Sequence, residues 1–244
     1  MKLKLRNLIF TGLLVSIGVI LSQFLSLYYP PSTSIIKFGI GYVPLIIISI
    51  LFGPEIGIFA GFTQDIIGFF LMGSAHGPYY FGFTFSAMLY GYLPGILIRI
   101  KTKVESKNIF FMNIFFISLF FLVSIWYLFN IDVISSSNVF NSSYRYVFIT
   151  IGLVSSVGLL LIAFFNQKKN KVNNDFQLIF FIVFVLYILV SVVLTPIWLW
   201  DMYEIPIWPQ IPLRILKMPL EVFVYTIIID SLLKVLKVQM NKEE

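Results

Sequence analysis

Apolar residues run through this chain in long blocks, and short polar or proline-bearing segments separate one block from the next. A helix that crosses a bilayer needs about 20 predominantly apolar residues. The pattern predicts eight such spans, near residues 7–28, 36–53, 55–72, 80–100, 108–130, 144–166, 176–197 and 212–236. Pro196 is expected to end the seventh span, and the prolines at 206, 209 and 212 are expected to keep the next loop irregular.

Composition supports the same interpretation. Hydrophobic types make up 59% of the 244 residues and charged types only 11%, against about 25% charged in soluble domains. A soluble core cannot bury that much apolar surface, whereas membrane lipid can surround it. We therefore expect an all-α integral membrane protein with one membrane domain, residues 1–244. The basic start resembles a signal peptide, but no small-residue cleavage site follows the apolar block, so the first helix is expected to stay.

Several kinds of chemistry have no support in the sequence. Cysteine is absent, and the single histidine, His76, lies in a loop, where loop polarity and ligand contact are both open interpretations. No metal-ligand spacing, GxxxxGK[ST] phosphate loop or Ser/His/Asp set is present. We expect no enzyme activity, no metal and no cofactor. The basic residues form short clusters between spans, so nucleic acid is not an expected partner.

Small residues recur at helical spacing in several spans, and such faces let helix backbones approach closely in lipid. Internal packing is the expected role of two faces: Gly57, Gly61, Asp65 and Gly68 on one, and Phe83, Ala87, Gly91 and Gly95 on the other. For Gly12 and Ser16 in the first helix, a docking face for a partner subunit is the alternative to internal packing.

Two stretches carry motifs of a known family. The first runs from Lys37-Phe-Gly-Ile-Gly-Tyr-Val-Pro44 and Leu51-Phe-Gly-Pro through Asp65 to Gly95, and the second from Thr195-Pro-Ile-Trp-Leu-Trp-Asp-Met-Tyr203 to Pro212-Leu-Arg-Ile-Leu-Lys-Met-Pro219. Both resemble the folate-family S component of energy-coupling factor (ECF) vitamin importers. The first motif is shared by several S components, whereas the second is closer to the folate branch.

The resemblance implies a six-helix bundle, with S-component-like helices one to four in 1–103 and the last two in 175–244. Residues 104–174 would then be an inserted two-helix segment. It also implies a binding subunit for folate or reduced folates that works with a membrane coupling subunit and two ATPase subunits. An S component for another solute is the first alternative, and a membrane enzyme or assembly factor is the second. Two positions depart from the family pattern: Lys37 replaces a common arginine and Glu204 a common glycine.

Candidate ligand contacts follow from the resemblance and from the cost of charge inside a membrane. Arg214 and Lys217 share a helix face with Glu221, so they either hold an anionic ligand tail or form an internal ion pair. Asp65 either accepts hydrogen bonds from a pterin or bonds to neighbouring protein groups, and Lys37 either contacts the ligand or snorkels to the interface. Five aromatic residues form either a lid or an interfacial belt: Tyr79, Tyr80, Phe83, Trp198 and Tyr203.

The distribution of basic residues predicts the orientation. With both termini in the cytoplasm, thirteen of the 17 Lys and Arg residues lie inside. Four lie in the outer half, namely Lys37, Arg145, Arg214 and Lys217. Because Lys and Arg accumulate on the cytoplasmic side, the opposite orientation is disfavoured.

Single cysteines test this orientation, since the chain has none of its own. In intact cells, a membrane-impermeant thiol reagent should label Asn138→Cys and leave Asn170→Cys unlabelled. Permeabilised cells, in which both positions react, provide the control. Labelling of position 170 alone in intact cells would contradict the predicted orientation.

Overall fold

The computed structural model describes residues 5–29, 36–72, 78–100, 111–116, 118–119, 122, 126, 150, 153–154, 157 and 175–242. Its helices are α1 (Leu5–Phe24), α2 (Val43–Phe52), α3 (Pro54–Met72), α4 (Phe81–Ile100), α5 (Asp175–Leu186), α6 (Thr195–Tyr203) and α7 (Ile207–Lys242). A π-helical stretch, Tyr187–Leu194, joins α5 to α6 and is called the π segment below. Strands β1 (Leu27–Tyr29) and β2 (Ile36–Phe38) form a short ribbon.

The predicted class, an all-α membrane protein, is confirmed. Within the described ranges, three helices are long and apolar enough to cross a bilayer: Leu5–Phe24, Phe81–Arg99 and Asp175–Tyr203. Helix α2 is apolar but shorter. The predicted spans 108–130 and 144–166 lie mostly outside the described residues, as does His76.

The start of the second span was predicted wrongly. Residues 36–38 form β2, which pairs antiparallel with β1 through Tyr28 opposite Lys37, so α1 ends at Phe24 and α2 begins only at Val43. Aromatic and β-branched residues in both short segments favour extended backbone. Lys37 therefore lies in a strand and not at the start of a helix.

The effect of the prolines was also predicted wrongly. Pro196 does not end the seventh span, because it occupies the first turn of α6 and the helix continues to Tyr203. Pro196 lies where the π segment passes directly into α6, so the helix changes its hydrogen-bond register there and does not end. Helix α7 begins at Ile207 and includes Pro209 and Pro212. The irregular stretch shrinks to residues 204–206, where Glu204 has a left-handed φ of 55°. This conformation favours glycine.

Helices α3 and α4 pack with their backbones in close contact. A Cβ added at Gly57 would overlap the carbonyl oxygen of Gly91, and one added at Gly61 would overlap that of Ala87. Asp65, one turn further along α3, meets Thr84 of α4. The internal packing predicted for these two small-residue faces is therefore observed, and it places Asp65 on the α3–α4 seam.

Helix α5 lies in the core and contacts two residues that precede it in the chain. Most of its residues are buried, including Leu178, Ile182 and Phe184. Asn113, 3% exposed, donates its side-chain amide to the carbonyl of Gln177 at 2.9 Å. Phe116 stacks on Phe184 with ring centroids 4.3 Å apart. Asn113 and Phe116 therefore cover part of α5.

The α3–α4 contact predicts a sharp contrast between two glycines. Gly57→Ala should lower the apparent melting temperature by at least about 3 °C, because one methyl group in a filled contact costs about 1–3 kcal/mol. Gly12→Ala is the matched control, since a Cβ there meets nothing within 4 Å. Equal melting of Gly57→Ala and Gly12→Ala in detergent would contradict the close contact.

Candidate ligand-binding site

Two cations are buried one helical turn apart on α7. Arg214 and Lys217 are each 4% exposed. The Lys217 ammonium lies 2.8 Å from a carboxylate oxygen of Glu221 and 5.8 Å from the centre of the Tyr187 ring. The internal ion pair, one of the two interpretations of Lys217, is therefore present, and it compensates the charge of the lysine within the cluster.

Arg214 is tied to the π segment through both its side chain and its backbone. Its Nη1 atom donates to the carbonyl of Ser191 at 3.1 Å, and the Tyr187 hydroxyl donates to the Arg214 carbonyl at 2.9 Å. A guanidinium has five N–H donors in a fixed plane, and the Ser191 bond uses one of them. The arginine is therefore held at a defined depth within the bundle.

Tyrosines surround the charged cluster. Tyr42 stacks on Tyr90 with ring centroids 4.3 Å apart and planes 8° from parallel. The hydroxyl of Tyr187 donates to the backbone carbonyl of Arg214, and its ring faces the Lys217 ammonium. The interior next to α7 thus combines flat aromatic surfaces with hydroxyl groups and charge, in contrast to the aliphatic core around α2.

Asp65 is part of a hydrogen-bonded chain at the α3–α4 seam. The Thr84 hydroxyl donates to an Asp65 carboxylate oxygen at 2.7 Å, and the hydroxyls of Thr84 and Tyr79 lie 2.7 Å apart. The Tyr79 ring meets Phe69 edge to face at 5.3 Å. A carboxylate has about four acceptor sites, so the bond from Thr84 is compatible with a further donor on a ligand.

Three predicted aromatic residues come together where α4 meets α6. Tyr80 lies 6.0 Å from Trp198 and 5.9 Å from Phe83, measured between ring centroids. We call these three residues the aromatic cluster. The Trp198 indole N–H donates to the Ser86 hydroxyl at 3.0 Å, which fixes the orientation of the indole ring.

The Tyr80 side chain also links residue 80 to α6. Its hydroxyl donates to an Asp201 carboxylate oxygen at 2.6 Å. This hydrogen bond raises the pKa of Tyr80 above the usual value for a tyrosine, because ionisation would remove the donor from the carboxylate. Two hydrogen bonds therefore hold α4 and the residue before it against neighbouring turns of α6: one from the Trp198 indole to Ser86, and one from the Tyr80 hydroxyl to Asp201.

The other predicted site residues belong to α6, β2 and α1. Tyr203, the last residue of α6, is 43% exposed. Lys37 belongs to β2. Gly12 and Ser16 lie on the exposed face of α1, where the Ser16 hydroxyl donates to the Gly12 carbonyl at 2.9 Å. In the part of the chain that the structure describes, no group of three His, Cys, Asp or Glu side chains is placed to hold a metal.

The sequence did not reveal the residues that hold the predicted ones in place. Ser86 orients Trp198, Thr84 bonds to Asp65, Asp201 bonds to Tyr80, and Ser191 holds Arg214. Only Asp201 carried a usable signal, as a carboxylate within an aromatic motif. Serine and threonine are too common in membrane helices for their spacing alone to identify them.

The two halves of the site are separated along one continuous helix. Ser191, which holds Arg214, and Trp198, which belongs to the aromatic cluster, are seven residues apart. This separation corresponds to about two helical turns, or about 10 Å along the axis. The arrangement suits an elongated ligand that has a flat ring system at one end and an anionic group, which Arg214 could bind, at the other.

The chain was compared with known proteins. A sequence profile of the family "ECF-type riboflavin transporter, S component" matches residues 2–163, well over half of the chain. The folate transporter FolT of Clostridium novyi (strain NT) is 28% identical over 106 residues, which are 43% of this chain and 58% of that relative. The chain thus matches less than two thirds of the relative's length.

A solved structure agrees at the level of the fold. The crystal structure of FolT bound with folic acid superposes with a TM-score of 0.55 and 17% sequence identity, over 93% of this chain and 92% of that one. The two chains therefore share a fold. The chain belongs to the ECF-type riboflavin transporter S component family, and it is a multi-pass membrane transport subunit rather than an enzyme.

Proposed function

We propose that this S component binds folate or a reduced folate from the outer side of the membrane. The observation that carries the proposal is a buried arginine, Arg214, about two helical turns from the aromatic cluster. A folate has a flat pterin at one end and a glutamate with two carboxylates at the other. Its pterin matches the aromatic cluster and Asp65, and one carboxylate matches the arginine fork.

The charge of the site favours folate over riboflavin, the vitamin in the family's name. The ribityl chain of riboflavin carries hydroxyl groups but no carboxylate, so it offers the guanidinium of Arg214 only neutral hydrogen-bond partners. A carboxylate forms a stronger, bidentate bond with a guanidinium than a neutral hydroxyl does. The FolT relatives are described as a folate transporter and as a folic acid complex, which supports the same choice.

The proposed site consists of Asp65, Tyr79 and the aromatic cluster around the pterin, with Arg214 at the glutamate. Tyr203 and Lys37 would lie at the outer edge, Tyr203 as part of a lid. Lys217 has a smaller role than Arg214, because Glu221 already compensates its charge. The ligand would bind without any cofactor.

The proposed assembly follows from the family. The chain would work with a membrane coupling subunit and two ATPase subunits, with both of its termini in the cytoplasm. Residues 1–103 and 175–244 form the S-component-like helices, and residues 104–174 form the insert. Gly12 and Ser16 would be the docking face for the coupling subunit, because this part of α1 is exposed and a Cβ at Gly12 meets nothing within 4 Å.

Substitution of Arg214 tests the ligand. Arg214→Ala and Arg214→Lys should both weaken folic acid binding to the purified protein by about 30-fold to more than 1,000-fold, because loss of one partner of a buried charge pair costs about 2–5 kcal/mol. Lysine should not rescue binding, since it lacks the planar fork. Equilibrium titration gives the affinities.

Pteroic acid lacks the glutamate and ends in a benzoate carboxylate that lies closer to the pterin than the glutamate carboxylates of folic acid do. It is the matched ligand and should respond far less to both substitutions. Thermal melting checks that each variant is folded. Folic acid affinity within about twofold of wild type in Arg214→Ala would make the arginine structural. Riboflavin that binds more tightly than folic acid to wild type would overturn the choice of vitamin.

Substitution on α1 tests the docking face. Gly12→Leu combined with Ser16→Leu should abolish co-purification with the coupling subunit, because bulky residues prevent close helix approach in lipid. Folic acid binding should stay at the wild-type level. The control pair is Leu8→Phe with Leu13→Phe, at exposed positions of the same helix. Unchanged co-purification of the Gly12/Ser16 variant would exclude this face.

A further inference from the structure

The hydrogen-bond register of the π segment breaks at a proline. In a π-helix each carbonyl accepts from the amide five residues later. Accordingly, the Thr195 amide donates to the Val190 carbonyl, and the Thr195 hydroxyl donates to the same carbonyl at 2.7 Å. The next carbonyl, that of Ser191, requires an N–H at position 196. Pro196 has none, so this register gives the Ser191 carbonyl no donor.

Arg214 supplies that missing donor from another helix. Its Nη1 lies 3.1 Å from the Ser191 oxygen, and both residues are buried. Within a bilayer, every backbone carbonyl needs a partner from the protein, and a charged donor makes a stronger bond than a neutral one. The guanidinium of Arg214 therefore bonds to the Ser191 carbonyl, which receives no backbone hydrogen bond in this register because residue 196 is a proline.

We infer that Pro196 is a positioning residue for Arg214. Because Pro196 has no backbone N–H, the Ser191 carbonyl stays available as an acceptor for Arg214. This bond fixes the guanidinium inside the bundle at Ser191, which lies about two helical turns from Trp198. An amide at position 196 would compete for this carbonyl and allow Arg214 to adopt other rotamers. A fork fixed in advance loses less conformational freedom when it binds a carboxylate.

The consequence for ligand binding rests on the proposed folate function, whereas the contact between Arg214 and Ser191 does not. The two are therefore measured separately. Four proteins are melted in detergent without ligand: wild type, Pro196→Ala, Arg214→Ala and the double variant. Arg214→Ala should lower the apparent Tm in the wild-type background, and this drop should shrink to about half or less in the Pro196→Ala background.

Pro94→Ala provides the matched control, because Pro94 is a buried proline within another helix, α4. In that background, Arg214→Ala should lower the Tm by the full wild-type amount. Arg214→Gln replaces Arg214→Ala if the alanine variant does not fold. Equal drops in the Pro196→Ala, Pro94→Ala and wild-type backgrounds would overturn the inference, because the proline would then have no influence on the arginine contact.

The ligand experiment titrates folic acid and pteroic acid against wild type, Pro196→Ala and Pro94→Ala. Pro196→Ala should weaken folic acid binding by about threefold to tenfold, as expected for one side chain that must now be ordered on binding. Pteroic acid should stay within about twofold of wild type.

Equal losses for both ligands, or no loss for either, would overturn the positioning role. Wild-type protein that binds neither ligand would contradict the folate proposal alone. The melting experiment would then still decide whether Pro196 directs the Arg214 contact.

Discussion

The requirement that most shapes this molecule is that a protein in lipid must satisfy its backbone polar groups internally. Prolines make this difficult because they have no backbone N–H, and several of them lie around the junction of α6 and α7. There the Gln210 side chain donates to the carbonyls of Ile205 and Pro206, each at 3.1 Å. Arg214 donates to the carbonyl of Ser191. Polar side chains that complete the backbone thus collect in the same region as the candidate site.

A second constraint is the cost of charge in a membrane interior. Lys217 and Glu221 reduce this cost by forming an ion pair with each other. Asp65 reduces it in part by accepting a hydrogen bond from Thr84. Arg214 donates to a backbone carbonyl of the π segment, so the two neighbouring cations of α7 differ in the kind of group that they bond to.

Much of the fold could be predicted because bilayer thickness fixes the length of a spanning helix. Apolar blocks marked the described helices, and glycine spacing marked the α3–α4 seam. The errors concern local backbone choices. Strands β1 and β2 depend on a pairing between segments that are each only three residues long. The π register of residues 187–194 depends on the packing around them, and the helix that continues from this segment includes Pro196.

The charged and aromatic residues of the candidate site could be predicted from the sequence. The residues that form hydrogen bonds with them could not. Arg214, Lys217 and Glu221 share a face by simple helical spacing. By contrast, the bond between Trp198 and Ser86 joins residues 112 positions apart, and the bond between Tyr80 and Asp201 joins residues 121 apart. Such pairings depend on how helices distant in sequence are arranged, which spacing within one helix does not encode.

The contact of Asn113 and Phe116 with α5 changes what surrounds this helix. Where Asn113 bonds to the Gln177 carbonyl and Phe116 covers Phe184, polypeptide takes the place of annular lipid. Lipid tails adapt to any shape but offer no hydrogen-bond donor, whereas these two residues supply a donor and a rigid ring at fixed positions. On this side, α5 contacts other side chains of the same chain in place of lipid. Changes in bilayer thickness or lipid composition should therefore reach α5 less directly than they reach α1, whose outer face carries Leu8, Leu13 and Ile20 exposed.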